Sequence, residues 1–409
     1  MKIFNRKLKI TSSALLTLCM VFVMTACAEN SSQSEKSQPA EQTTVQPTTM
    51  SAEEINDRKL DKFISDMTLE EKVGQMFFVR CPDEDAVKQV SEYNIGGYIL
   101  FGRDFDGKTK DEVVDDIHSY QNEADIPLLI GVDEEGGTVV RVSSNPNLRE
   151  TPFLSPKDTY ADGGWDAVKQ DAEEKADLLL SLGINVNLAP VCDMTSDEYG
   201  FMYDRSFSSD VDMENRYVRT VVETSKSKKL GTVLKHFPGY GNNSDTHTGI
   251  AYDDRDYSEF ENTDFKPFYQ GIESGADCIL VSHNIVNCMD SEYPASLSQK
   301  VHDILRNEFK FDGVIMTDDL IMDAITDFTG DEAAVVTAAK CGNDLLCCSS
   351  VDTQYPAVLE AVQNGEIPET QVDASVKRIL KWKQNLGIFN IDTYQEKSQI
   401  NRTNGYRWK

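Results

Sequence analysis

The chain has 409 residues, and its 69 Asp and Glu against 40 Lys and Arg leave a formal net charge of −29. This charge excludes nucleic-acid binding through a general basic surface, because contacts to phosphate need an excess of Lys and Arg. Hydrophobic residues make up 40% of the chain, which is enough for a large core. The length allows one large domain or two ordinary ones, so the composition predicts a globular, acidic protein.

The first 26 residues have the pattern of an export signal. Four positive charges precede an apolar run over 14–24, and small residues lie directly before Cys27. A basic head followed by a short apolar segment is typical of a signal peptide and not of a fold element. The small residues before the cysteine resemble a bacterial lipoprotein signal, which implies lipidation of Cys27 and removal of residues 1–26. An ordinary signal peptide is the alternative.

Residues 27–57 are rich in Ser, Gln, Glu, Thr and Pro and contain few large apolar side chains. Such a segment cannot offset the entropy of ordering, so it predicts a disordered tether that begins at Cys27. We therefore expect an exported protein, lipid-anchored on the extracytoplasmic face of a bacterial cell membrane. Its folded domain is predicted over 58–390, followed by a C-terminal tail over 391–409.

From residue 58 the chain alternates short apolar runs with polar turns and segments of helical periodicity, which predicts βα units on a parallel sheet. There are eight such runs: Met76–Val79, Gly97–Phe101, Pro127–Val132, Asn185–Val191, Gly231–Leu234, Cys278–Val281, Gly313–Met316 and Asp344–Cys348. Eight strands close an α/β barrel of the (β/α)8 TIM type. A doubly wound open sheet is the alternative, and it would not bring the first and last strands together.

Charged or hydrogen-bonding residues stand where these runs end. They are Arg80, Arg103, Asp133, Asp193, Lys235 with His236, His283, Asp318 and Ser349. In such barrels the active site lies at the carboxyl ends of the strands. The pattern therefore predicts one polar pocket to which all eight segments contribute.

Two longer motifs carry a family resemblance, KHFPGYGNNSDTHTG from Lys235 and FDGVIMTDDLIM from Phe311. Shorter segments match in the expected order between residues 60 and 390: GGYILFGRDF at 96–105, LLIGVDEEGGTVVRV at 128–142, NVNLAPVCD at 185–193, DRSF at 204–207 and PASLS at 294–298. Together they resemble glycoside hydrolase family 3, in its bacterial β-N-acetylhexosaminidase branch. The resemblance implies a retaining exo-hydrolase that releases terminal β-linked N-acetylglucosamine (GlcNAc) from cell-wall or other glycans.

The resemblance also implies the catalytic groups. Asp318 matches the carboxylate nucleophile that forms a covalent glycosyl-enzyme. The motif Asp245-Thr246-His247 matches a His–Asp dyad, in which the histidine is the acid and base and the aspartate orients it. The alternatives are a helix-capping role for Asp318 and a solvated loop position for His247.

Further residues match, by position, the family residues that bind the hydroxyls and N-acetyl group of the sugar. They are Asp133, Arg141, Arg205, Lys235 and His236. Charge-assisted hydrogen bonds are strong and directional, which suits this role. The alternative is an internal ion-pair network that holds the barrel mouth together.

The sequence departs from the family pattern after the KHFPG segment. Tyr240 and Asn242 stand where the family commonly has a His and then an Asp, and the loop is one residue shorter. There is no trace of the second α/β sandwich domain that many family members carry. No metal or organic cofactor is implied, because a retaining displacement needs only the two catalytic groups and positioning.

Other functions stay open at this point. The same fold supports a different β-glycosidase specificity, or a phosphorylase in which phosphate replaces water. A sugar-binding lipoprotein of an uptake system would also have a lipid-modified cysteine and a tether, although such proteins usually have two lobes. The expected partner is a β-GlcNAc-containing glycan or muropeptide, with the membrane reached only through the anchor and a monomer as the expected state.

Overall fold

Eight short parallel strands form the centre of the computed structural model, which describes residues 50–243, 246, 249–322, 325, 328–329 and 331–394. These strands are β1 Phe77–Arg80, β2 Gly97–Leu100, β3 Leu129–Val132, β4 Val186–Asn187, β5 Gly231–Phe237, β7 Cys278–Val281, β9 Val314–Thr317 and β10 Leu346–Cys348. Two further short strands, β6 Tyr252–Asp253 and β8 Ile285–Val286, pair with each other outside this sheet.

The sheet closes on itself. Its strand order is β10-β1-β2-β3-β4-β5-β7-β9, so β9 and β10 lie at its two ends. A parallel bridge between Met316 and Leu345 joins these ends. The amide of Thr317 donates to the Leu345 carbonyl at 3.1 Å across the same seam. The predicted (β/α)8 barrel is therefore confirmed, and the open sheet is excluded because the first and last strands meet.

Each of the eight predicted runs overlaps one barrel strand, and strands β4 and β5 differ most in length from their runs. Strand β4 spans only Val186–Asn187. Strand β5 continues to Phe237, because Lys235 still pairs with Val191 on one side and Phe237 with Val281 on the other. Lys235 and His236 consequently lie inside a strand and not after it.

Helices surround the barrel, with bounds α1 Ala52–Asp66, α2 Leu69–Gln75, α3 Ala86–Tyr93, α4 Lys110–Glu123, α5 Pro156–Ser181, α6 Val211–Lys228, α7 Tyr257–Asn262, α8 Phe265–Ser274, α9 Gln299–Asp303, α10 Asp331–Lys340, α11 Val351–Gln363 and α12 Glu369–Asn385. Three of them begin with reciprocal capping boxes, in which Ser51, Thr68 and Thr109 pair with a glutamate three residues on. This arrangement satisfies amide groups that a helix start leaves without partners. Within the part of the chain that the structure describes, no helix is both long and apolar enough to cross a membrane.

The folded domain is longer at both ends than the sequence predicts. Helix α1 begins at Ala52, six residues before the predicted start at 58, and buries Leu60 and Ile64 in the core. At the other end Ile391 is buried, and the Tyr394 ring lies 5.6 Å from that of Phe63. The predicted signal, Cys27, residues 27–49 of the tether and residues 395–409 of the tail lie outside the described residues.

Candidate active site

A buried cluster of four charged residues lies at the carboxyl ends of the barrel strands. The Lys235 ammonium in β5 is 2.5 Å from a carboxylate oxygen of Asp133 and 2.6 Å from one of Glu135, both directly after β3. Arg205, from the segment after β4, binds both Glu135 oxygens through its Nε at 3.0 Å and its Nη2 at 2.8 Å. The Lys235 and Glu135 side chains are only 3% and 2% exposed.

The charges in this cluster stabilise one another. Burial alone would raise the pKa of Glu135. The charges and hydrogen bonds of Lys235 and Arg205 have a larger effect than burial and hold that pKa well below its ordinary range. Burial alone would lower the pKa of Lys235, but Asp133 and Glu135 raise it above its ordinary value. Glu135 and Lys235 therefore remain ionised although both side chains are buried.

His236 is oriented by a second carboxylate beneath it. Its Nδ1 lies 2.7 Å from Asp193, which also accepts the His236 amide at 3.0 Å. Its Nε2 is 3.2 Å from Nη2 of Arg205. Because a guanidinium only donates hydrogen bonds, Nε2 accepts, and the ring proton of a neutral His236 belongs on Nδ1. The ring is thus held from both sides.

Arg141 is placed by the buried carboxylate of Glu134. That carboxylate accepts the amides of Arg141 at 2.9 Å and Val142 at 2.7 Å, and it also accepts the Ser143 hydroxyl. The Arg141 guanidinium carbon lies 5.9 Å from the centre of the Phe101 ring. Glu134 therefore fixes the turn that brings Arg141 to the barrel mouth.

Asp318 directly follows β9 and is partly exposed at the same end of the barrel. Its amide donates to the Val281 carbonyl of β7 at 3.1 Å, and its Oδ1 accepts the Asp319 amide at 2.9 Å. Burial raises the pKa of Tyr240, and the charge of Asp318 raises it further, so the tyrosine lies within electrostatic reach of this carboxylate. The predicted nucleophile thus lies at the same end of the barrel as Tyr240, three residues after β5.

Two other strand-end residues support Asp319, the neighbour of Asp318. The Ser349 hydroxyl donates to the Asp319 carboxylate at 2.8 Å, and Nε2 of His283 lies 3.0 Å from the Asp319 carbonyl. Arg103, in contrast, points to the rim, where it pairs with Asp83 at 3.1 Å. The polar residues that follow the strands therefore do not all take part in the same contacts at this end of the barrel.

Asp245 and His247 lie outside the described residues. Thr246 between them is described: it is buried, and its Oγ1 is 2.5 Å from the Tyr240 hydroxyl.

Glu134 and Glu135 are the residues that sequence reasoning missed. Three acidic residues follow the buried strand β3 in succession, and only Asp133 was selected. Acidic residues directly after a buried strand signal a buried ionic role, since an unpaired carboxylate there would be costly. The partners of Glu135, Lys235 and Arg205, lie 70 or more residues away in the chain, so only the fold identifies them.

The glycosyl hydrolase family 3 N terminal domain matches residues 68–382. The beta-hexosaminidase of Nitrosomonas eutropha is 32% identical over 273 residues, which cover 65% of this chain and 77% of that protein. Beta-hexosaminidase LpqI of Mycobacterium tuberculosis is 31% identical over 331 residues, with 76% and 82% covered.

Solved structures agree with this match. The family 3 β-N-acetylglucosaminidase of Paenibacillus sp. superposes with a TM-score of 0.74 at 30% identity, over 79% of this chain and 63% of that one. This chain therefore spans less than two thirds of the Paenibacillus chain. The structure of LpqI from M. tuberculosis gives a TM-score of 0.72 at 27% identity, over 79% and 96%. With its barrel fold and this match over most of its length, the chain belongs to glycosyl hydrolase family 3 and is a glycoside hydrolase.

Proposed function

We propose that the protein is a retaining exo-β-N-acetylhexosaminidase that releases terminal β-linked GlcNAc from cell-wall or other GlcNAc-containing glycans. The observation that carries the proposal is the position of Asp318, at the carboxyl end of β9 and at the same barrel end as the buried Lys235–Glu135–Arg205 cluster. The relatives named beta-hexosaminidase and the Paenibacillus β-N-acetylglucosaminidase support this specificity.

The proposed reaction has two displacements. First, a carboxylate oxygen of Asp318 bonds to the anomeric carbon while the glycosidic bond breaks, and His247 gives its proton to the departing oxygen. Water then bonds to the anomeric carbon, the bond to Asp318 breaks, and His247 takes a proton from the water. Asp245 orients His247 in both steps. One water is consumed, and the configuration of the sugar is retained.

The charged cluster suits the binding of sugar hydroxyls and the N-acetyl group. We assign this role to Asp133, Arg141, Arg205, Lys235 and His236. The Lys235 ammonium has three hydrogens, and its contacts with Asp133 and Glu135 use two of them. The third hydrogen can be donated to a sugar hydroxyl. Ion pairs already fix Asp133, Arg205 and Lys235, so their binding to a sugar costs little additional side-chain entropy. The ion-pair network and the sugar-binding role are therefore compatible.

The first test is release of p-nitrophenol from its β-GlcNAc and β-glucose derivatives. We expect GlcNAc-selective turnover by the wild-type protein, lost by roughly 10³-fold or more in Asp318→Asn because the nucleophile is removed. In His247→Ala we expect turnover to be slowed by roughly 10²-fold or more. Asp312→Asn is the matched control, since that side chain is 84% exposed.

Other results would select another function. Glucose-selective turnover would keep the fold and overturn the specificity. A rate that depends on phosphate, with a sugar 1-phosphate as product, would show a phosphorylase. Tight sugar binding by a folded protein that cleaves neither compound would favour a binding protein.

We also propose that the protein is exported and anchored through a lipid on Cys27. The support is the basic head, the apolar run and the small residues before this cysteine. The wild-type protein is expected in the membrane fraction and in the detergent phase of a cloud-point separation. Cys27→Ser is expected to lose the lipid and leave the detergent phase, whereas equal partitioning of both proteins would contradict the anchor.

A further inference from the structure

Tyr240 connects three parts of the barrel mouth through its backbone amide, its ring and its hydroxyl. Its amide donates to Asp193 at 2.7 Å, beneath His236. Its ring meets the His236 ring edge-on at 5.3 Å between centroids. Its hydroxyl lies 2.5 Å from Oγ1 of Thr246, and the whole residue is only 1% exposed. Tyr240 therefore extends from the floor of the site to the middle of the Asp245-Thr246-His247 motif.

The chain around Tyr240 is itself fastened to the barrel. The Thr195 hydroxyl donates to Oδ1 of Asn242 at 2.7 Å, and Arg255 donates to the Gly239 carbonyl at 3.2 Å. Gly241 has a φ of 55°, and a Cβ there would come within 2.8 Å of the Arg255 guanidinium. Residues 239–242 are thus held against the barrel. The Tyr240 hydroxyl in turn holds Thr246, six residues further along the chain, by a hydrogen bond.

The Tyr240 hydroxyl stays neutral at any working pH. Burial raises its pKa, and the charge of Asp318 raises it further. The phenol therefore remains a hydrogen-bonding group beside the proposed nucleophile and adds no second negative charge. A phenylalanine would keep the ring packing and lose only the link to Thr246.

On the basis of the proposed function, we infer that Tyr240 is a positioning residue, whose hydroxyl holds Thr246 and thereby sets where the flanking His247 stands relative to Asp318. Among the described residues, it contacts Thr246, Asp193 and the His236 ring. Tyr240 and Asn242, the two positions that depart from the common family pattern, are both anchors of this segment. The shortened segment is held by side-chain hydrogen bonds that this chain supplies itself.

The test compares leaving groups in Tyr240→Phe and Thr246→Val. For substrates whose leaving group needs protonation, such as a GlcNAc disaccharide, we expect kcat to fall roughly 10- to 100-fold, because a misplaced acid and base loses most of its effect. We expect KM to change by less than about twofold, since the sugar-binding cluster is untouched. With 2,4-dinitrophenyl β-GlcNAc, which needs no proton, kcat/KM should stay within about threefold of wild type.

Azide distinguishes a misplaced acid and base from a damaged fold. It attacks the glycosyl-enzyme without a general base, so it should restore the turnover of the dinitrophenyl substrate in both variants and form the glycosyl azide. Thr246→Ser keeps the hydroxyl and should behave as wild type. Tyr98→Phe is the control, because it removes another buried tyrosine hydroxyl, one that donates to the Ala86 carbonyl at 2.7 Å.

Wild-type kcat on the disaccharide in Tyr240→Phe would overturn the inference. Equal losses on both kinds of substrate without azide rescue would also overturn it, by showing a structural role. A second measurement needs no activity: amide hydrogen exchange over residues 239–249 should be faster in Tyr240→Phe than in wild type. Unchanged exchange would overturn the anchorage. Failure of the wild-type protein to cleave any β-GlcNAc substrate would instead overturn the proposed function.

Discussion

Glu135 is the residue on which the charge balance of the barrel mouth depends. It lies between Lys235 and Arg205 and contacts both. A buried ion pair gives little net stability, but removing one partner leaves the other charge uncompensated. Glu135 therefore supports the shape of the site without any need to touch the substrate.

Replacing Glu135 with Gln is expected to lower the free energy of unfolding by about 3–5 kcal/mol, as breaking a buried pair does. Urea denaturation followed by circular dichroism measures this. The control is Glu174→Gln, which breaks the surface pair with Arg149, where Glu174 is 47% exposed. That change should cost less than about 1 kcal/mol. Equal effects of the two substitutions would contradict the buried role.

The pH dependence of this difference follows from the pKa shifts. The folded-state pKa of Glu135 is lowered from its ordinary 4.5. Its contribution to the free energy of unfolding is therefore fully present above pH 4.5 and is lost only as the pH falls through the folded-state pKa. The folded-state pKa of Lys235 is raised from its ordinary 10.5. Its contribution to the free energy of unfolding is therefore fully present below pH 10.5 and is lost only as the pH rises through the folded-state pKa. We expect the difference between wild type and Glu135→Gln to stay constant from about pH 5 to about pH 9.

At the scale of elements, strand β5 shows where sequence patterns reach their limit. Its apolar run ends at Leu234, but the strand continues through Lys235 and His236 to Phe237. Polar and charged residues fit inside a buried strand only when groups from other segments satisfy them. Here those groups are the carboxylates of Asp133, Glu135 and Asp193, which periodicity along β5 cannot reveal.

Helix α12 buries a lysine that is remote in sequence from the proposed site. Lys383 is fully buried, and its ammonium donates to Oε1 of Gln75 at 2.8 Å. Burial lowers the pKa of Lys383 to about 7. The folded protein therefore binds fewer protons than the unfolded chain between about pH 7 and the ordinary lysine pKa near 10.4.

The free energy of unfolding should accordingly rise with pH across this window, by up to about 5 kcal/mol from this one group. Lys383→Met removes the titrating group and fits the apolar surroundings, so we expect a more stable protein near pH 7 and a loss of the slope. Thermal unfolding at pH 7, 8 and 9 measures both effects. Lys381→Met on the same helix, at a half-buried surface position, should leave the slope in place. A slope that persists in Lys383→Met would contradict the assignment.

At the scale of the whole molecule, the barrel depends on the seam between β9 and β10. The buried Asp344, just before β10, accepts hydrogen bonds across this seam from the Ile315 amide at 2.9 Å and from Arg306 at 2.5 Å. Ser375 and Arg378 of α12 also donate to it, at 2.8 and 3.1 Å. One carboxylate thus joins both edge strands of the barrel to its last helix.

We expect Asp344→Asn to reduce the free energy of unfolding by about 3–5 kcal/mol, because two arginines lose their buried partner. Chemical denaturation measures the loss. Asp312→Asn is the matched control, since its carboxylate is 84% exposed and pairs with the same Arg378 at 3.4 Å. That substitution should cost less than about 1 kcal/mol. A similar loss in both variants would show that the seam does not depend on Asp344.

The sequence by itself determined the eight strands, their parallel arrangement and the family. Short apolar runs that alternate with helical periodicity are local patterns, and the motifs around Asp318 and Lys235 are contiguous in the chain. Only the tertiary structure decided which charges meet, because Glu135 finds Lys235 and Arg205, and Asp344 finds Arg306, across long separations. It also decided the ends of the domain and the reach of Tyr240 to Thr246. The physical reason is that periodicity reports which face of an element is buried, whereas the partner of a buried polar group depends on how distant segments pack.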